Sequence, residues 1–339
     1  MKALEAEAFE VIDRLMKSFP GNATPLALMG TVHERFGNGS EAMKWWIKCL
    51  KMNPRRADVH ASMARFALDA GQYEQAVERW QRAMKIKRSI PGGRVGLARA
   101  LMGLGKAKQA VSILKEEIAA APDRAKSHGL LGKAYLESSQ FDKAEKHYRQ
   151  AVTLQSDLTG AYYGLSMACA RLGQKARARE YMEKFRKLKS RDRDKEVKRK
   201  HAYDDVPAVR QLVSLAYTQA GMLYKGSGYL IEAEQHWDKA ASLDPKNPIC
   251  RAMLASLYVR SLRYAEALKM YKQLVKMLPR NAGHHVRLGI VHGQLKQYDA
   301  ALAAIERAIE LDPDNQGYRK IHQEIRQARG SPPGEGKKQ

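Results

Sequence analysis

The stretch GYLIEAEQHWDKAASLDPKNP (residues 228–248) carries the pattern that decides the fold. It places a small residue, Ala233, four positions before a large one, Trp237, and then a turn with Pro245. Residues 71–91, GQYEQAVERWQRAMKIKRSIP, repeat this order around Ala76 and Trp80. The alanine returns every 34 residues, in a series of five and then a series of three: Ala42, Ala76, Ala110, Ala144 and Ala178, then Ala233, Ala267 and Ala301. A period in the mid-thirties predicts a solenoid of helix-turn-helix units.

The side-chain sizes within each period explain how such units pack. When the alanine is numbered as position 20, the repeats begin at Ala23, Ala57, Pro91, Ala125, Thr159, Ser214, Pro248 and Ala282. Position 8 is small and position 24 is large in all eight repeats. Small residues at positions 8 and 20 let two antiparallel helices approach closely, while position 24 fills the space between successive repeats. A proline at position 32 in five of the eight repeats ends the second helix, because it cannot continue the hydrogen-bond ladder.

This pattern resembles the tetratricopeptide repeat family over about residues 23–190 and 214–315. The tails LKMNPRRAD, AASLDPKNP and AIELDPDNQ are similar to the turn between repeats in that family. The resemblance implies an all-α fold, a right-handed superhelical solenoid of antiparallel helix pairs. It also implies that the first helix of each pair lines a concave groove, in which the family generally binds peptides or proteins.

Departures from the repeat divide the chain further. Residues 1–20 match only a second helix, so we expect an N-terminal half-repeat helix there, followed by five repeats at 23–190. The 34-residue spacing is then interrupted. We expect an over-long helix from about Lys175 towards His201 and a basic helical insertion or linker at 191–213. Three more repeats are expected at 214–314, a capping helix at 315–329 and a disordered tail at 330–339.

The half-repeat helix carries an apolar stripe of Phe9, Ile12, Leu15 and Met16, and no first helix accompanies it. Three explanations stay open. The helix caps the array alone, or a second chain covers the stripe in a homodimer, or the natural protein extends upstream. We favour an N-terminus that has been truncated or processed.

The groove positions that the resemblance implies are 2, 5, 9 and 12 of each first helix. They are basic in repeats 2 to 4 and largely apolar in repeats 5 to 8. The partner is therefore expected to be a protein or peptide with acidic and apolar segments. The alternative roles are solvated basic residues for the basic set, and packing against the neighbouring repeat or burial under the insertion for the apolar set. The predicted groove residues are Arg65, Arg99, Lys126, Lys133, Tyr163, Met167, Met222, Ile249 and Ile290.

The net charge of +24 indicates an anionic partner or a solvated basic surface. Between residues 171 and 201 there are 14 Lys or Arg against 5 Asp or Glu, which leaves nucleic acid or an anionic surface open as the partner. Salt bridges within this helix are the alternative, because acidic residues alternate with the basic ones. The basic insertion residues are Arg186, Lys187, Lys189, Arg191, Arg193, Lys198, Arg199 and Lys200, and an outer basic face adds Arg55, Arg56, Arg79, Arg82, Lys85, Lys87 and Arg88.

No motif for catalysis, metal binding or a cofactor occurs in the sequence, so we predict a protein that is not an enzyme and needs no cofactor. The three cysteines suit packing, and no apolar run reaches the ~18 residues of a membrane span. The default location is the cytoplasm. If the natural N-terminus extends upstream, the location is unknown.

The leading functional prediction is a non-catalytic scaffold that binds a peptide or protein segment in its groove. The alternatives are a nucleic-acid or anionic-surface binder acting through the basic insertion, and an accessory module of a larger enzyme. A chaperone-tail adaptor is unsupported, because Ala27 and Thr31 stand where such family members have the Lys and Asn of a carboxylate clamp.

Overall fold

A computed structural model describes residues 1–201 and 206–330, without the side chains of residues 195–201. Over these residues the protein consists of helices and contains no strand, which confirms the predicted all-α solenoid class. The helices are α1 Lys2–Ser18, α2 Ala23–Arg35, α3 Gly39–Met52, α4 Ala57–Asp69, α5 Tyr73–Ile86, α6 Gly93–Gly103, α7 Ala107–Ala120, α8 Ala125–Glu137, α9 Phe141–Leu154, α10 Thr159–Arg171, α11 Lys175–His201, α12 Val206–Gly226, α13 Leu230–Leu243, α14 Pro248–Arg260, α15 Tyr264–Met277, α16 Ala282–Gln294, α17 Tyr298–Leu311 and α18 Gln316–Gly330.

Position 24 of the repeat forms the core of each helix pair. Trp46, Trp80 and Trp237 are almost fully buried, as are the position-20 alanines beside them. A methyl group added at Gly30 would overlap the ring of Trp46, and one added at Gly221 would overlap the ring of Trp237. The small residue at position 8 therefore makes room for the large residue at position 24, as the sequence pattern predicts.

The turn within each helix pair places position 15 in the left-handed region of the backbone. Five of these residues are glycines, which adopt that conformation without a steric penalty. Leu262 has φ of 59° although it carries a side chain, and its glycine counterpart Gly228 has φ of 89°. The full set is Gly37, Gly71, Gly105, Ser139, Gly173, Gly228, Leu262 and Lys296.

Position 4 of the repeat ties each first helix to the turn before it. The Nε2 atoms of His60, His128 and His285 lie 3.0–3.1 Å from the carbonyl oxygens of Pro54, Pro122 and Pro279. The hydroxyl of Tyr162 donates to the carbonyl of Ser156 in the same way. A side chain at position 4 thus satisfies a carbonyl near the end of the preceding second helix, which gives the recurring histidines a structural role.

The chain forms two compact units. The first unit contains α2 to α11, and the second unit contains Met1–Pro20 together with α12 to α18. The helices of each unit pack in chain order, with one exception, because α1 packs on α12.

In the second unit α1 occupies the place that a preceding second helix would take beside α12. Its residues Val11, Ile12 and Leu15 are buried. The Tyr217 hydroxyl donates a hydrogen bond of 2.9 Å to Glu7 Oε1. Lys239 Nζ lies 3.1 Å from the same oxygen. The same chain therefore covers most of the stripe on α1, and a homodimer is not needed for that purpose.

The segment after the fifth repeat and the C-terminal helix depart from the regular repeat. Where the sequence predicts an over-long helix from about Lys175 towards His201, the structure has α11, which spans 27 residues. Part of the predicted insertion or linker at 191–213, residues 202–205, lies outside the described residues. At the other end α18 buries Ile325 and donates from Arg319 to the carbonyl of Pro313, at the position where a ninth repeat would have its position 4. Residues 331–339, which hold most of the predicted tail, are also outside the described part.

Candidate functional site

The first helices α4, α6, α8 and α10 of the first unit present a row of side chains that do not enter the core. Arg99 and Lys133 both stand at position 9, one residue after the small and buried position 8, which is Ala98 in α6 and Gly132 in α8. Arg65, Arg99, Lys126 and Lys133 are all exposed. The repeat pattern thus places predicted groove cations on the surface of successive first helices.

An apolar cavity of about 250 Å³ lies between α8 and α10. The ring of Tyr148, from α9, forms part of its wall, and Gly129 and Gly160 keep it open because neither carries a side chain. Two of the predicted cations, Lys126 and Lys133, stand at its edge. The full lining is Lys126, Gly129, Leu130, Lys133, Tyr148, Leu158, Gly160 and Ala161.

A second cavity, of about 230 Å³, adjoins the first and shares Leu130 and Lys133 with it. Its wall is more polar, since Arg99 and Glu137 contribute charged groups. Lys133 Nζ lies 3.7 Å from Glu137 Oε1, a loose and exposed pair that contributes little to stability. The full lining is Leu68, Tyr73, Arg99, Met102, Gly103, Leu130, Lys133 and Glu137.

The two cavities bring together Arg99, Lys126 and Lys133 from the predicted groove. Arg65 is not among their lining residues; its guanidinium donates to the Ser62 hydroxyl at 2.9 Å. Sequence reasoning missed Tyr148 and Glu137 as lining residues. Position 24 predicts that Tyr148 packs in the core. The sequence signal for a cavity beside its ring is the pair of glycines at 129 and 160.

The predicted apolar residues of repeat 5 lie outside these cavities. Tyr163 is 46% exposed, and its ring packs 5.2 Å from the ring of Phe185 on α11. Lys189 Nζ lies 5.4 Å from the centre of the Phe185 ring. Met167 is half-buried. Tyr163 therefore packs against α11, the second helix of its own repeat.

The second unit has a cavity of about 310 Å³ on α14 and α16. It includes Ile290 from the predicted set, whereas Met222 packs against the core around Trp237 and Ile249 is exposed elsewhere. Sequence reasoning missed its two arginines, which stand at positions 13 and 6 of their repeats and so outside the expected groove positions. The lining is Ser256, Val259, Arg260, Tyr271, Arg287, Ile290 and Val291.

The basic insertion residues on α11 that the structure describes are Arg186, Lys187, Lys189, Arg191 and Arg193, and all are exposed. Arg191 lies 3.3 Å from Asp157 and 3.8 Å from Asp192. The side chains of Lys198, Arg199 and Lys200 lie outside the described residues. In the described part of α11 the Arg191–Asp192 contact is the only ion pair made within the helix, so the salt-bridged alternative finds little support there.

Few side chains among the described residues are suited to catalysis or to metal binding. Burial raises the pKa of the thiols of Cys49, Cys169 and Cys250, which keeps them protonated. Burial, with a smaller effect of His128, lowers the pKa of His147 to about 4. Within residues 1–201 and 206–330 no three His, Cys, Asp or Glu residues come together as a metal site.

Stacked helix pairs define a class of protein, the repeat solenoid built from helix-turn-helix units. Models of the tetratricopeptide repeat match residues 67–134, 130–192, 215–247 and 252–316. The chain belongs to the tetratricopeptide repeat family.

Curated relatives resemble parts of the chain. A Hsp70-Hsp90 organizing protein from Triticum aestivum is 30% identical over 107 residues, which cover 32% of this chain and 18% of the relative. A probable UDP-N-acetylglucosamine–peptide N-acetylglucosaminyltransferase SPINDLY from Hordeum vulgare is 31% identical over 100 residues, 27% of this chain and 11% of the relative. The chain thus spans less than a fifth of the length of these two relatives.

Solved structures with related folds include MamA from Desulfovibrio magneticus RS-1. It is 21% identical, with a TM-score of 0.47, and the match covers 50% of this chain and 95% of MamA. The TPR domain of P58(IPK) is 16% identical with a TM-score of 0.30, over 95% of this chain and 93% of that one. No helix in the described ranges is both long enough and apolar enough to cross a membrane.

Proposed function

We propose that the protein is a non-catalytic scaffold that binds an extended segment of a partner protein along α6, α8 and α10. An apolar side chain of the segment occupies the cavity beside Tyr148, and acidic side chains meet Arg99, Lys126 and Lys133. The observation that carries this proposal is the pair of adjoining cavities, one apolar and one polar, that share Leu130 and Lys133.

The chemistry of the two cavities supports this division of roles. A ligand side chain in the apolar cavity would remove its own surface and that of Tyr148, Leu130 and Leu158 from water, which favours binding. Lys126 and Lys133 stand at the same cavity, so a carboxylate next to the apolar side chain would find a cation within a short reach. Successive side chains of an extended segment point to opposite faces, so alternate side chains, about 6.6 Å apart, would face the two adjoining cavities.

The name of one relative, an Hsp70-Hsp90 organizing protein, is consistent with a role in binding other proteins. The chain itself has Ala27 and Thr31 at the positions of the carboxylate clamp, so we place the segment's charges at the cations of repeats 3 and 4 instead. Nucleic-acid binding through α11 and a role as an accessory module of an enzyme stay predictions.

The test is selection from a random peptide library displayed on phage, followed by affinity measurement of an enriched peptide by fluorescence anisotropy. We expect enrichment of peptides in which Asp or Glu flanks a large apolar residue. Gly160→Leu adds a side chain at the cavity, at a position where a Cβ atom would have no other atom within 4 Å, and it should weaken binding by about 10-fold or more. Gly226→Leu is the matched control, because Gly226 is equally open and lies in the second unit.

Charge is tested separately by Lys126→Glu with Lys133→Glu, which should weaken acidic peptides by about 10-fold and be partly rescued by a peptide with Lys in place of Glu. Enrichment of basic peptides, or equal affinities for wild type and Gly160→Leu, would exclude this groove as the binding site.

A further inference from the structure

The outward faces of α3 and α5, with the turns that follow them, carry a dense group of cations. We call this group the α3/α5 cationic patch; it consists of Lys48, Lys51, Arg55, Arg82, Lys85, Lys87 and Arg88. All seven side chains are exposed. Within the part of the chain that the structure describes, none of them has a carboxylate within 4 Å, although the neighbouring Lys44 and Arg56 do. α3 and α5 are the second helices of successive repeats, so their outward faces are neighbours.

The fold does not require these charges. Positions 26 and 29 hold Lys48 and Lys51 in α3, and Arg82 and Lys85 in α5. The same two positions hold Glu116 and Ala119 in α7, and Gln150 and Thr153 in α9. Because these positions point away from the core in every repeat, the cations in the first two repeats are a property of this chain rather than of the architecture.

Neighbouring groups respond to the positive field. Burial is the main cause that holds the pKa of His60 below its usual range, and the hydrogen bond with the Pro54 carbonyl opposes it; the charges of Arg79 and Arg82 lower this pKa further. Lys48 likewise adds a small contribution to the lowered pKa of Glu41, whose main cause is the hydrogen bond from Lys44. The patch therefore attracts anions before any partner is bound.

Apolar side chains flank the row of lysines on α3. At 100° per residue, Ile47 lies on one side of the line through Lys48 and Lys51, and Met52 lies on the other. Ile47 is 42% exposed and Met52 is 46% exposed. Lys48 Nζ lies 4.3 Å from the centre of the Trp45 ring, so an aromatic surface stands beside the same row.

We propose that the α3/α5 cationic patch binds the surface of a bilayer that contains anionic phospholipid. The cations meet the lipid phosphates and carboxylates, and Ile47 and Met52 reach the apolar boundary below the headgroups. A nucleic-acid backbone would engage the cations but would leave these two apolar side chains in water, which is why the observations favour lipid. The patch lies on second helices and is separate from the proposed groove on the first helices, so it does not depend on that function.

The test uses the full chain in co-sedimentation with vesicles of phosphatidylcholine alone and of a phosphatidylcholine–phosphatidylserine mixture. We expect binding to the mixture, weakened by salt, and little binding to phosphatidylcholine. The variant Lys48→Gln, Lys51→Gln, Arg82→Gln, Lys85→Gln should lower partitioning by more than about 30-fold, because each cation near such a surface contributes substantially. The control Lys106→Gln, Lys108→Gln, Lys115→Gln, Lys146→Gln removes equal charge from exposed positions on or beside α7 and α9, and should lower it by less than about threefold.

A third variant separates lipid from nucleic acid. Ile47→Ser with Met52→Ser should weaken vesicle binding several-fold and leave binding of a fluorescent DNA duplex unchanged. All substituted side chains are exposed, so thermal unfolding should be the same in every variant. Equal losses in the two glutamine variants, no binding to the anionic mixture, or vesicle binding unaffected by the serine pair would each overturn the proposal.

Discussion

The turns within helix pairs differ between the two units. In the first unit they expose small or polar residues such as Gly71, Gln72 and Lys106. In the second unit Leu262, in the turn between α14 and α15, is 70% exposed, and Ile231, at the start of α13 directly after a turn, is 73% exposed. Both units obey the same rule at positions 8, 20 and 24, which are buried except for the half-buried Met182 at position 24 of the fifth repeat. The repeat therefore constrains the interior, while the outer positions are free to diverge, and functional differences between the units are to be sought there.

The units also differ in how their first helix pair is completed. The first unit begins with α2, whose N-terminal amide at Thr24 is capped by the Asn22 side chain. In the second unit α1 supplies a helix beside α12 from a distant part of the sequence. The second unit thus depends on a contact that spans 210 residues between Glu7 and Tyr217.

The largest effect that tests this contrast is expected from Leu15→Asp. Leu15 is 1% exposed, so an aspartate there buries a charge without a partner and should lower the stability of the α1–α12 packing by about 3–5 kcal/mol. Hydrogen exchange followed by mass spectrometry should show faster exchange in α1 and α12, with α4 to α10 unchanged. Glu10→Ala, which removes only an exposed pair with Arg14, should change little. Unchanged exchange in α12 would mean that it does not rely on α1.

A smaller effect is expected from pH in the first unit. The pKa of His147 is lowered to about 4, mainly by burial, whereas an unfolded histidine titrates near 6.5. Between these values the unfolded chain binds more protons, so stability is fully present above about pH 6.5 and decreases towards pH 4. Because His147 is only partly buried, the loss should be about 1 kcal/mol.

His147→Gln should remove this part of the pH dependence. Urea unfolding followed by circular dichroism at neutral and mildly acidic pH measures it, in parallel for the wild type and the variant. The same slope with pH in both proteins would show that the proton uptake belongs to other groups.

The smallest effect is expected at the turns. Leu262 holds a left-handed conformation that costs a side-chain-bearing residue roughly 1 kcal/mol or more, so Leu262→Gly should stabilise the second unit by up to about 1 kcal/mol. Gly228→Leu is the mirror change at the same repeat position and should destabilise by a similar amount. The midpoint of thermal unfolding reports both. A loss of stability in Leu262→Gly would indicate that the exposed leucine makes contacts that offset its backbone strain.

Much of the fold could be predicted because the repeat rule is local. A glycine at position 8 and a tryptophan at position 24 lie 16 residues apart in one helix pair, as Gly30 and Trp46 do. A single repeat therefore contains both the small residue and the large residue that packs against it. The docking of α1 on α12 could not be predicted in this way. The apolar stripe on α1 shows only that some other helix must pack on it. The helix that does so, α12, follows five intervening repeats in the sequence.

The candidate site was predictable to the extent that it follows repeat positions. Position 9 led to Arg99 and Lys133, which line the cavities, but also to Arg65, which hydrogen-bonds to Ser62 instead. The cavity beside Tyr148 depends on two neighbouring glycines and on ring placement, and Arg260 and Arg287 reach their cavity from other positions. Such features arise from packing between repeats and have no fixed place in the period.

The packing of α1 on α12 has a consequence for synthesis. At translation rates of about 5–20 residues per second, α12 is completed roughly 10–40 seconds after α1 leaves the ribosome. During that interval Val11, Ile12 and Leu15 have no native partner, while α2 to α11 can already pack in chain order. The second unit therefore closes on a helix that was made roughly 10–40 seconds before α12, and the nascent chain carries the uncovered apolar face of α1 throughout that interval.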